Sequence, residues 1–89
     1  MNNIKKLQTM FKDKFQIEID EKYFLQSISI SLNGIGLNAL EMYYLIHFIE
    51  KEFTIKFTPE HIKSGSIRTL QGLCSTIKEL QKTEVFEKV

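Results

Sequence analysis

Cysteine is nearly absent from this chain. Cys74 is the only one, so no internal disulfide can form, and a reducing compartment is the simpler expectation. An excess of either charge is missing too: twelve Lys and Arg against eleven Asp and Glu leave a formal charge of +1. That is too little to drive binding to a phosphate backbone by counterion release, and nucleic acid is not expected as a partner. No long apolar run follows Met1-Asn2-Asn3-Ile4-Lys5-Lys6, so neither a signal peptide nor a membrane span is expected, and the cytoplasm is the expected location. No internal repeat or low-complexity tract is visible.

Motifs that carry chemistry are incomplete. Gly34-Ile35-Gly36 lacks the third glycine and the strand-and-crossover frame of a dinucleotide-binding turn, which leaves backbone freedom ahead of Asn38 as its role. His47, His61 and Cys74 are able to bind zinc but contain no close ligand pair, and no metal site is expected. No Ser, Cys or Thr has a His and an acid placed near it so as to compel a catalytic triad. At 89 residues the chain suits one domain, residues 1–89, with little room for a deep catalytic cavity. An enzyme is therefore the least supported class.

What the sequence does contain is helical period. Ile4, Leu7, Phe11 and Phe15 recur at three- and four-residue intervals, while Lys5, Lys6, Lys12 and Asp13 fall mostly between them. This predicts a first helix over about residues 3–15 that packs on the protein's own core rather than on a membrane surface. Residues 16–37 show no sustained period and read as a long ordered connection. Tyr23, Phe24, Ile28, Ile30 and Leu32 would anchor it in the core, and the alternation of Ile28, Ile30 and Leu32 allows a short strand.

Asn38 followed by Glu41 is a capping box and predicts a second helix over about residues 38–53. Met42, Leu45, Ile46, Ile49 and Phe53 share one face and should point inward. Leu40, Tyr43, Tyr44, His47 and Phe48 cannot all join that stripe, so the outer side either meets further elements or touches a partner. Thr58-Pro59-Glu60 starts a short third helix over about residues 59–63, which Ser64-Gly65-Ser66 ends. Leu70, Leu73, Cys74, Ile77 and Leu80 form the apolar face of a fourth helix over about residues 69–82, and the tail to Val89 either extends it or frays.

The junction before the second helix resembles a known family. Ser31-Leu32-Asn33-Gly34-Ile35-Gly36-Leu37-Asn38-Ala39-Leu40 is similar to the Ser-Phe-x-Asp-Leu-Gly-x-Asp-Ser-Leu segment of acyl carrier proteins. Glu50 to Glu60 resembles the acidic helix end, the Phe and the Ile-x-Ile-Pro loop of that family, and Ser66-Ile67-Arg68-Thr69-Leu70 resembles its Ile-Thr-Thr-Val approach to the last helix. The chain also looks like the acyl carrier-related proteins of bacterial peptide-maturation systems.

The resemblance implies an all-α four-helix bundle of acyl carrier protein type, with a long first loop and a short third helix. It implies a monomeric, non-enzymatic carrier of an acyl or peptidyl group on phosphopantetheine, with Asn38, Ala39 and Leu40 at the attachment site. In that family a serine hydroxyl holds the arm. Here the aligned residue is Ala39, whose methyl group cannot hold a phosphate ester. The alanine is either an engineered Ser→Ala change or native to a carrier-like protein that acts by binding alone. Asn38 and Gly34 in place of family acids, and Tyr44 and Lys51 where helix acids are usual, are further departures.

The family presents its second helix to biosynthetic or modifying enzymes, and to a phosphopantetheinyl transferase where the serine is present. The resemblance therefore places partner contacts at Leu40, Glu41, Tyr43, Tyr44, His47 and Lys51. With His47 and Lys51 among them, a more aromatic and less acidic face is expected, suited to a dedicated partner.

Overall fold

The computed structural model describes residues 3–87; Met1, Asn2 and the last two residues of the tail lie outside the described residues. The fold is all-α. Four helices follow in order, α1 (Asn3–Phe15), α2 (Ala39–Phe53), α3 (Pro59–Ser64) and α4 (Leu70–Glu87), with a 3-10 helix (Glu21–Leu25) between the first two. Among the described residues there is no strand.

In α1 the apolar period buries Leu7, Met10 and Phe11, while Ile4 and Phe15 pack at the core's edge. Lys12 and Lys14 occupy its last turn, where the helix dipole favours cations. The helix stops at Gln16, which takes a left-handed φ of 56°; its amide reaches the Lys12 carbonyl and that of Ile17 reaches Phe11. Two carbonyls of the last turn thereby keep donors.

The long connection is held in place by pairing with the segment ahead of α4. Ile30 N–H donates to Arg68 C=O at 2.8 Å, Leu70 N–H to Ile28 C=O at 2.9 Å and Gln71 N–H to Gln26 C=O at 3.1 Å. The alternation at Ile28, Ile30 and Leu32 thus yields a single antiparallel bridge, Ser29 with Thr69, instead of a strand. The chain then turns back tightly: Ser31 C=O accepts from both Gly34 and Gly36, and Ile35 N–H donates to Ser29 C=O.

A side chain at Gly34 would run into the Ser29 carbonyl, and Gly36 sits at a φ of 108° that other residues rarely adopt. Two expected anchors are not buried. Leu32, at the tip of the turn, is 73% exposed, and Tyr23 is 39% exposed with the Lys22 ammonium over its ring. Phe24, Ile30 and Leu37 fill the core in their place, with the Phe24 ring 6.3 Å from that of Phe11.

Around α2, Leu45, Ile49 and Phe53 are buried and Met42 and Ile46 pack beside them. The helix ends at Thr54 in a left-handed conformation, after which Ile55 and Phe57 turn into the core. Thr58 caps α3 and Pro59 takes its first position; His61 Nδ1 accepts the Thr58 amide at 3.1 Å and completes the cap. Thr69 Oγ1 accepts from Gly72 N–H at 3.0 Å to start α4, whose Leu70, Leu73 and Ile77 are buried, with Cys74 and Leu80 only partly so. The tail extends this helix as far as Glu87.

Candidate functional site

The turn at Gly36 delivers the chain to Asn38 in extended conformation, and α2 begins at Ala39. Asn38 Oδ1 accepts the Glu41 amide at 2.8 Å and Glu41 Oε1 accepts the Asn38 amide at 2.9 Å. This reciprocal pair fixes the helix start and is worth about 1 kcal/mol. Asn38, Ala39 and Leu40 are all exposed, so residue 39 presents its side chain to solvent in the first turn.

A helix start of this kind attracts anions through open amides and the dipole. Glu41 opposes that attraction by placing a carboxylate beside the same amides. For covalent attachment of a phosphate ester, the residue present does not fit: Ala39 has no hydroxyl. The upstream hydroxyls are engaged elsewhere, Ser27 with Gln71 Oε1 at 3.0 Å, and Ser29 with Ser31 at 2.8 Å.

The outer side of α2 is a continuous stripe. Leu40, Tyr44, His47 and Lys51 repeat at helical spacing with Tyr43 beside them, on the side away from Leu45 and Ile49. Leu40 is 60% exposed, Tyr43 57% and Tyr44 45%. Tyr43 meets His47 edge-on, with centroids 5.0 Å apart, and lies 6.0 Å from Tyr44.

Tyr44 stacks on Phe48 at 6.4 Å, Phe48 lies 6.2 Å from Phe15, and Phe15 lies 6.1 Å from Phe11. Ring contacts therefore run from the core to the surface. The outer side of α2 is divided: Tyr43 and Tyr44 face solvent, whereas Phe48 is half-buried against the core.

The acids of α2 are occupied within the fold. Glu41 closes the cap, Glu50 Oε2 accepts the buried Phe57 amide at 2.9 Å, and Glu52 lies 4.0 Å from the Lys6 ammonium. The structural duty of Glu50 escapes a reading by helical face, because its partner is beyond the helix end. Lys6 and Lys14 of α1 likewise reach α2, over the rings of Phe53 and Phe48 at 5.3 and 5.0 Å, and nothing in the local period of α1 announces those contacts.

The remaining sequence candidates do not converge. Among the described residues no three His, Cys, Asp or Glu gather as a metal site. Burial pushes the Cys74 thiol up from 9.0 to about 11, which keeps it protonated and poorly nucleophilic near neutral pH. No helix of the described residues is long and apolar enough to cross a membrane. Compared with protein-family models, with curated proteins and with solved structures, the chain has no match.

Proposed function

We propose that this chain is a carrier-type module of acyl carrier protein design, whose position 39 is the attachment point of a phosphopantetheine arm and whose α2 face docks on biosynthetic or modifying enzymes. The observation that carries the reading is the exposure of residue 39 at the first position of a capped helix, directly after the Gly36 turn. A group attached there would project into solvent from a fixed base, where a partner enzyme could receive it. With alanine in place, no ester forms and the chain docks without cargo.

A second reading is favoured by the exposed Leu40, Tyr43 and Tyr44: a non-catalytic adaptor that uses the same face for binding alone. One experiment separates the two. Ala39→Ser protein is incubated with coenzyme A and a broad-specificity phosphopantetheinyl transferase, and its intact mass is measured. Gain of one phosphopantetheinyl group supports the carrier. No gain, in protein with unchanged helical circular dichroism, favours the adaptor.

A further inference from the structure

Away from residue 39, α1 and the C-terminal half of α2 enclose an open groove of about 710 Å³. Half-buried Phe48 supplies apolar surface above the buried Met10, and Lys5, Lys6, Lys14 and Lys51 line the rim. Asp13 and Glu52 also border it, which leaves the groove at +2. The whole chain carries only +1, so everything outside the groove sums to −1. The groove is thus net positive in a chain that is nearly neutral.

The lysines are arranged to serve both halves of an amphipathic ligand. Lys14 lies with its ammonium 5.0 Å over the Phe48 ring, and Lys6 spans from the Phe53 ring to Glu52. Their stems widen the apolar surface while their heads stay at the rim. The groove also joins the exposed face of α2, since Tyr44 stacks on Phe48 at 6.4 Å.

We propose that this groove binds an acidic amphipathic helix of a partner protein, with its apolar side chains on Phe48 and the lysine stems and its carboxylates on the lysine rim. The stretch of α1 that lines it, Lys5 to Lys14, makes a trough about 15 Å long, which suits roughly three turns of a helix laid alongside. A flat anionic bilayer fits less well, because Asp13 and Glu52 would face its phosphates. A small amphiphile fits less well too, because the groove is open along its length and would leave much of the ligand wet. The site does not depend on what residue 39 carries, so the carrier reading and this one can fail separately.

The test uses the full chain, labelled with nitrogen-15, and a synthetic peptide of about 15 residues with Leu at helical spacing and Glu on the other face. Amide shifts at α1 and at residues 44–52 are expected, weakening as salt rises from about 50 to about 300 mM. Lys14→Glu with Lys51→Glu should reduce affinity at least about tenfold, whereas Lys56→Glu with Lys63→Glu, an equal charge change on exposed residues outside the groove, should leave it within about twofold. If the first pair perturbs the circular dichroism, Lys14→Gln with Lys51→Gln replaces it.

Equal losses from both pairs would mean that net charge alone attracts the peptide and would overturn the proposal. So would an absence of shifts at about 1 mM peptide, which corresponds to negligible affinity. Groove shifts produced by dodecanoate or by phosphatidylglycerol vesicles, without any from the peptide, would overturn it in favour of a lipid ligand.

Discussion

Glu50 offers the sharpest test of how α2 is built. Its Oε2 accepts the amide of Phe57, seven residues on, at 2.9 Å, and so holds the segment after the helix against its last turn. Phe57 is buried, and an amide left without an acceptor there loses a bond whose acceptor is charged. Such a loss costs about 2 kcal/mol, and a domain of this size converts it into a fall in Tm of roughly 10 °C. Glu50→Gln keeps an oxygen at the same reach and should cost about half as much.

Glu52→Ala is the matched control. It removes the same charge from the same helix, but its ion pair with Lys6 is long, at 4.0 Å, and half-exposed, so it should cost under about 0.5 kcal/mol. Thermal and urea unfolding followed by circular dichroism would measure all three variants. Equal stabilities for Glu50→Ala and Glu52→Ala would refute the assignment of Glu50 to the fold, and would return it to the pool of acids available for docking.

Gly34→Ala should destabilise by at least about 2 kcal/mol, because its Cβ would collide with the Ser29 carbonyl and the turn ahead of α2 would have to open. Urea denaturation checks this, and a variant as stable as the parent would show that the backbone approach is looser than described. Cys74 should react with a disulfide reagent at pH 8 at least about tenfold more slowly than in the urea-unfolded chain, since its thiol is pushed up from 9.0 to about 11. The folded-state rate should keep climbing with pH above 9, where the unfolded chain levels off; equal rates at pH 8 would contradict the burial of the thiol.

The distribution of acids bears on how the α2 face recognises anything. Glu41 and Glu50 keep their charge while bonded to backbone amides, but Lys6 pairs with Glu52 and Lys51 sits on the same helix, so α2 has little net negative charge left to steer a basic partner. What it offers instead is Leu40, Tyr43 and Tyr44, the side-chain types that anchor interfaces by burial, next to a lysine-rimmed groove. Position 39 stands at the upper end of this surface, in the first turn.

Local chemistry was readable from the residues themselves. The Asn38 and Glu41 box, the Thr58-Pro59 start and the stripes through Leu7 and Phe11, Leu45 and Ile49, or Leu70 and Leu73 depend on neighbours within four positions, and all four helices follow from them. Contacts between distant positions were not readable, because period says which face a side chain takes but not what waits there. Alternation at Ile28, Ile30 and Leu32 allowed a short strand. Only the pairing with Arg68 and Leu70 decided that one bridge forms and that Leu32 turns outward. In the same way the composition of α2 left its aromatics undivided until α1 arrived: Phe15 and Lys14 cover Phe48, nothing covers Tyr43 to the same degree, and that unequal cover separates core from surface.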